Sequence, residues 1–342
     1  MAFSAILKPS DYFNTKLYTG NGSTQTISGL NFQPDFTWIK SRNNGTEHSQ
    51  FDSVRGATKM IASSTNELEQ TVATMLTAWT SDGFSLGSYS SVNGSGYSQL
   101  SYNWKGGTTA TNTDGSTTTS VSANSTAGFS IVSYTGTGSV ATLGHGLSTA
   151  PSTVWVRRLN VSDWVVGSNG LASWNYVLNL NSTSNAADQV NQFNGTAPTT
   201  SLVTLGTEGQ TNQSGIGFIM YCFSDIAGFS KSGSYTGNGN ADGPFVYTGF
   251  KPAFIIMKTS SIADNNWILF DSKRLGYNVS NDNLVPNAAS TEQTGLDIDL
   301  LSNGFKMRGT QNDFNGSGGT YIYMAFAEEP LVSSNGTPAT AR

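Results

Sequence analysis

Few side chains in this 342-residue sequence could do chemistry, and most of them stand alone. An Asp-Ser-x-Arg element occurs twice, as Asp52-Ser53-Val54-Arg55 and Asp271-Ser272-Lys273-Arg274. Asp52 with Arg55, and Asp271 with Arg274, could hold a sugar or an ion. The same pair could instead close a turn, the carboxylate accepting backbone N–H groups and pairing with the guanidinium. The turn reading is the weightier, because Ser168-Asn169-Gly170 stands where a third copy would fall. Paired carboxylates would suit glycoside hydrolysis. The candidates Glu67, Glu69, Asp82, Asp297 and Asp299 do not recur, and Asp297-Ile298-Asp299 reads as the solvent face of an alternating strand. His48 and His145, with the lone Cys222, support neither a Ser-His-Asp relay nor a zinc site. Asp242 or Asp264 could hold calcium in a turn, but no loop has ligand spacing. The Gly-x-Gly strings lack the following helix that a phosphate loop needs, so they read as hairpin turns. No catalytic residue, metal or cofactor is therefore expected. Trp79, Tyr89, Trp174, Tyr176 and Tyr277 are the remaining candidates. Trp and Tyr beside Asn and Asp suit sugar binding, the ring stacking on a pyranose while amides meet its hydroxyls; most of the five are expected to be core or interdomain packing.

The elements that must position these groups are strands. Hydrophobic residues make up 37% and charged residues 11% of the chain, the latter against about 25% in ordinary domains. Glycine, Ser, Thr and Asn replace the missing charge, and aromatic residues stand at 11%, which argues against disorder. Such composition favours sheets with many turns. A net charge of −5 does not provide the basic footprint of a general nucleic-acid binder. No apolar run is long enough to span a bilayer, so no membrane insertion is expected. The opening residues lack the pattern of a secretory signal.

Internal repetition is the strongest signal. Three segments open alike, with Tyr18-Thr19-Gly20-Asn21-Gly22, Tyr134-Thr135-Gly136-Thr137-Gly138 and Tyr235-Thr236-Gly237-Asn238-Gly239. Each continues to a proline and an apolar run ending in a cation: Pro34 to Lys40, Pro151 to Arg157 and Pro252 to Lys258. Each closes with Ser-Gly and, further on, an aromatic residue, namely Trp104, Phe223 and Phe326. Short strands between glycine-rich turns, about 100 residues at a time, predict an all-β protein of three tandem antiparallel β-sandwich domains. The expected boundaries are 11–105, 128–227 and 228–330. Residues 106–127, with 12 Ser or Thr among 22, read as a linker that is extended or laid along a neighbour. Domains two and three, with almost no linker, are expected to pack rigidly, and 331–342 reads as a polar tail. Residues 66–76 are the best helical candidate.

The string from Lys8-Pro9-Ser10-Asp11-Tyr12-Phe13-Asn14 to Gly22 resembles a family of virion-associated proteins of marine and environmental phages. So do Asp52-Ser53-Val54-Arg55-Gly56-Ala57, Tyr102-Asn103-Trp104-Lys105-Gly106-Gly107, Gly144-His145-Gly146-Leu147, and the ending from Tyr321 through Glu329-Pro330 to Ala341-Arg342. The resemblance covers nearly the whole chain. It implies concanavalin-like jelly-roll modules in a tail fibre, receptor-binding or capsid-surface protein, and carries over no site residues. A chain without disulfides suits a virion part assembled in bacterial cytoplasm. The expected function is non-enzymatic: a tail-fibre component recognising a host-surface glycan or protein. The alternatives are a capsid decoration protein that braces the shell and a polysaccharide depolymerase. Expected partners are other virion proteins and further copies of the chain, a trimer among the options.

Overall fold

The structure, a computed structural model, describes residue 4 and residues 6–331. The expected tail 331–342 lies outside the described residues apart from Leu331. The chain is nearly all β, in several antiparallel sheets consistent with a sandwich fold. Each repeat builds a large sheet with one strand order: first strand, last strand, second, third. In the first repeat these are Phe13–Thr19, Ser98–Trp104, Phe36–Ser41 and Ser49–Asp52. In the second they are Phe129–Thr135, Gly217–Ser224, Pro151–Arg158 and Trp164–Ser168, and in the third Ser230–Thr236, Thr320–Pro330, Phe250–Thr259 and Ile268–Asp271. A smaller sheet accompanies each, built on Gln25–Ser28 with Gly83–Leu86, on Ala141–Gly144 with Leu202–Leu205, and on Phe245–Tyr247 with Gly304–Met307.

The recurring motifs are turn devices. Gly20, Gly136 and Gly237 have no room for a Cβ, which would meet a backbone oxygen at 2.2, 2.3 and 2.3 Å respectively. Two residues later, Gly22, Gly138 and Gly239 hold φ of 71°, 72° and 65°, the left-handed region that glycine enters without cost. The tyrosine opening each motif donates its hydroxyl to a carbonyl of the closing turn, Tyr18 to Val92, Tyr134 to Thr211 and Tyr235 to Phe314. A buried asparagine, Asn93, Asn212 or Asn315, accepts a backbone N–H from the opening turn and donates to two carbonyls there and beyond. Each repeat is thus stapled where its first and last strands meet.

Alternation along the large-sheet strands sends side chains to two different cores. Ile39, Phe51 and Phe84 fill the first repeat's interior between its sheets, as Val154, Val156 and Met220 do in the second. The opposite faces, Phe36, Trp38, Tyr102 and Trp104, then Trp155, Tyr221 and Phe223, then Phe254, Ile256, Met324 and Phe326, all enter one shared core. The three closing aromatics meet there pairwise, Trp104 to Phe223 at 6.4 Å, Trp104 to Phe326 at 5.7 Å and Phe223 to Phe326 at 6.1 Å between centroids. Phe36–Tyr221 at 4.5 Å, Trp38–Trp155 at 6.0 Å and Tyr102–Phe254 at 4.9 Å join the repeats around them.

The repeats close on one another with threefold-like regularity. Glu69 N–H donates to Leu159 O at 2.9 Å, Ala186 to Ser260 at 2.9 Å, and Glu292 to Arg42 at 2.7 Å. First binds second, second binds third, and third returns to first.

Two expectations change. Residues 106–127 are not a bare linker, because Ala110–Asn112 and Thr119–Asn124 form strands that extend the second large sheet. Small Ser and Thr side chains suffice on an edge, where backbone pairing does the holding. Residues 66–76 form no helix: Gln70–Thr71 is a short strand paired with Lys59 and Met60, and Glu69 is tied to the second repeat.

A shared core predicts shared unfolding. Trp104→Ala removes the largest of the three converging rings and is expected to cost about 3–5 kcal/mol. In denaturant titrations followed by far-ultraviolet circular dichroism, the variant should lose structure in all three repeats in one transition. A first step that spares two repeats would show that the cores are separate.

Candidate functional site

The Asp-Ser-x-Arg elements lie at the seams between repeats. Asp52, fully buried, accepts the backbone N–H groups of Val54 and Arg55 and the Arg55 Nε at 2.6 Å. The Tyr221 hydroxyl of the second repeat donates at 2.7 Å to Oδ2, the oxygen that also takes the Arg55 Nε–H. Asp271 repeats the arrangement with Lys273, Arg274 and, from the first repeat, the Tyr102 hydroxyl at 2.7 Å. Arg55 goes on to Glu69 at 3.1 Å and Arg274 to Glu292 at 3.0 Å. Glu292 also takes a forked pair of bonds from Arg42 at 2.8 Å each. Burial works to raise the Asp271 carboxyl; the Arg274 guanidinium and the Tyr102 hydroxyl outweigh it and hold it below the ordinary carboxylate range.

The third seam lacks this device. Met324 occupies the tyrosine position and Ser168 the aspartate position, so both partners are replaced together. Ser168 shares a hydroxyl bond of 3.0 Å with Thr153, which donates to Ser232 at 3.0 Å. A small space of about 10 Å³ remains there, lined by Trp155, Val166, Ile256, Trp267 and Met324 among others.

The cations that end the apolar runs are also structural. Arg157 donates to Ser162 O and, across a seam, to Glu67 O; Lys258 donates to Asn265 O and, across the next, to Thr183 O at 2.9 Å. Lys40 donates to Ser41 and Asn44 carbonyls. Burial pushes Lys40 and Lys258 down to about 8. His48 stands where the other repeats have Trp164 and Trp267; it accepts the Trp38 indole N–H on Nδ1 at 3.0 Å, and burial holds it well below the usual histidine range. His145 is buried in its turn. Cys222 lies within the second repeat's core, its thiol pushed up to about 12 by burial.

The remaining candidates scatter. Glu67 gives its carbonyl to Arg157, and Glu69 its carboxylate to Arg55. Asp82 caps the backbone of Gly29 and Asn31. Asp299 is not on a solvated face: it is 6% exposed and bonded to Arg308 at 2.6 Å. Asp242 is exposed and pairs with Lys306 at 2.7 Å. Among the described residues no cluster of three or more His, Cys, Asp or Glu could hold a metal ion. Trp174 is buried, its indole donating to Asn169 at 2.8 Å and its ring edge-on to Phe193. Tyr176 and Trp79 are half-buried against the core, whereas Tyr89 and Tyr277 are 42% and 65% exposed. Among the described residues no ring contact joins any two of these five. Sequence reasoning missed Phe245 and Tyr247, which are 46% and 53% exposed on one strand. Their alternation around buried Val246 was the available signal. It also missed a polar hollow of about 450 Å³ lined by Asn31, Gln33, Asp35, Ser81 and Lys105, where Asp35 is spent on the Gly106 N–H.

Residues 8–330 match a family described as a domain of unknown function, DUF7483. The chain belongs to the DUF7483 family. The match spans all three repeats. No curated protein and no solved structure matches the chain.

Removing one seam hydroxyl leaves a buried carboxylate short of a donor. Tyr102→Phe and Tyr221→Phe are each expected to lower stability by about 1–3 kcal/mol, whereas Met324→Leu on the third seam should cost less than about 1.5. Asp271 has a folded pKa below its unfolded value, so its contribution is present above the unfolded carboxylate range and lost as pH falls through the folded value. Denaturation midpoints measured down the acid limb should therefore fall less steeply in Asp271→Asn than in the natural chain. The Cys222 thiol should react with iodoacetamide at pH 8 only through opening of the fold, at a rate that rises with denaturant. Rapid labelling in native buffer would contradict this.

Proposed function

We propose that the chain is a non-enzymatic structural protein of a phage virion, a tail-fibre or receptor-binding component that presents its β-sandwich repeats to host-surface glycans. The observation that carries the non-enzymatic part is the employment of the buried charged groups. Asp52, Arg55, Asp271, Arg274, Arg157 and Lys258 all bond across or beside seams between repeats, and holding three sheets together accounts for their burial. The virion setting is supported by the resemblance of the motif strings. The stapled, mutually locked repeats suit a part that must keep its shape under mechanical load.

The threefold-like closure favours a second reading. A single chain with three equivalent faces is shaped to sit on a threefold position of a lattice, as a decoration protein that braces a capsid would. Quantitative mass spectrometry of purified particles separates the two. The tail-fibre reading expects far fewer copies than the major capsid protein, and a copy number comparable with it would establish the decoration reading. Release of reducing sugar from host surface polysaccharide would overturn the non-enzymatic reading and favour a depolymerase.

A further inference from the structure

The three copies of the small sheet provide an internal control. In each, a central strand residue points inward opposite an inward partner: Ile27 opposite Phe84, Leu143 opposite Val203, Val246 opposite Phe305. The flanking positions lie on the opposite face of the sheet, which is exposed at Thr26 and Ser28 in the first copy and partly covered by residues around Asn112 in the second. In the first repeat these are Thr26 opposite Ser85 and Ser28 opposite Gly83; in the second, Thr142 opposite Thr204 and Gly144 opposite Leu202. In the third they are Phe245 opposite Lys306 and Tyr247 opposite Gly304. Where the third copy has Phe245 and Tyr247, the other two have Thr26 with Ser28 and Thr142 with Gly144, so large aromatic residues at those two positions are not required by the fold. They are left 46% and 53% exposed.

The surroundings are equally specific. A Cβ at Gly304 would meet Phe245 Cε2 at 3.0 Å, so the ring edge lies over bare backbone. Lys306 bonds Asp242 at 2.7 Å, Arg308 bonds Asp299 at 2.6 Å, and Asp299 is the cross-strand neighbour of Lys306. The far edge of the same sheet is extended by residues 278–280: the Asn278 amide exchanges two bonds with Leu300, and Ser280 bridges Ile298. This segment carries Tyr277, 65% exposed, on its flank. Four aromatic side chains among the described residues are more than a third exposed, and Phe245, Tyr247 and Tyr277 are three of them.

We propose that the outer face of the third repeat's small sheet is a binding platform for a neutral saccharide, with Phe245 and Tyr247 stacking on pyranose faces and Lys306, Arg308 and Asp242 meeting hydroxyls. An aromatic face carries partial negative charge, which suits the polarised C–H groups of a sugar ring. Paired charges beside the rings offer both donors and acceptors. Two cations and two carboxylates cancel, which fits an uncharged ligand better than a nucleic acid or an anionic membrane. The proposal rests on the glycan-recognition reading above and names the face that performs it.

Affinity electrophoresis of the full chain tests it, with dextran, mannan, galactomannan and a soluble β-glucan each cast in the gel. The chain should be retarded by at least one of them. Phe245→Ala with Tyr247→Ala should weaken that retardation by about tenfold or more, as loss of central aromatic anchors does. Thr26→Ala with Ser28→Ala, the matched pair on the first repeat, should leave it unchanged, and thermal melts should show both variants folded. Retardation that survives the aromatic double variant would overturn this face while leaving glycan recognition standing. No retardation in any gel would overturn both. Retardation confined to dextran sulfate would overturn the neutral ligand. Self-association in sedimentation that disappears in the aromatic double variant would identify the face as a contact between copies and overturn the proposal.

Discussion

Each large sheet carries apolar side chains on both faces, and burial of both is the constraint from which the architecture follows. A sandwich hides one face against its own small sheet. The other, with Phe36, Trp38 and Trp104 in the first repeat, would be left to water, where contiguous apolar area of that size is unfavourable. Three such faces turned inward bury each other. The aromatic rings at the centre can be large because each sheet needs to fill only a third of the space. The chain does for itself what a homotrimer does with three subunits, and its covalent continuity removes the concentration dependence of assembly.

The polar seams follow from the same geometry. Where two large sheets meet, backbone groups and charged side chains become buried and must find partners. The Tyr–Asp–Arg device satisfies them at two seams with equal sequence separation, Tyr102 to Asp271 and Tyr221 to Asp52, each 169 residues apart. The third seam dispenses with both members, using Met324 and Ser168. That joint loss is what a coupled pair requires, since a lone buried carboxylate would be costly and a lone buried hydroxyl would still lose a hydrogen bond. The seam between the second and third repeats is also the one where the chain passes directly from one repeat to the next.

Much of this was legible in the sequence. The recurring turns, the apolar runs and the closing aromatics marked three copies, and nearly unbroken apolar runs marked strands buried on both faces. The partner of the second face was not legible, because its contacts join residues that no local pattern links. The Asn-x-Ser-Gly turn, with Asn93, Asn212 and Asn315, was visible as a string, yet its asparagine reads as ordinary turn composition until its bonds to two carbonyls are seen. Residues 106–127 looked too polar to bury themselves and read as a linker extended or laid along a neighbour; that they are strands of the second sheet was not visible, since an edge strand is held by its backbone and leaves little trace in side-chain pattern. Residues 66–76 carry apolar spacing that suits a helix, but β-branched Thr71, Val72 and Thr74 and the bond from Glu69 to the second repeat hold the segment extended. Phe245 and Tyr247 escaped notice because exposure, not residue type, is what distinguishes them from core aromatics.

Hydrogen exchange followed by mass spectrometry measures the central claim most directly, through the opening free energies of Ser98–Trp104, Gly217–Ser224 and Thr320–Pro330, the strands that bring the three closing aromatics together. If the inward faces form one core, amides in all three strands exchange only through the same global opening, with matching free energies and one dependence on denaturant. Three distinct opening free energies, or one strand exchanging well before the others in the intact chain, would show that the repeats are independent sandwiches in contact.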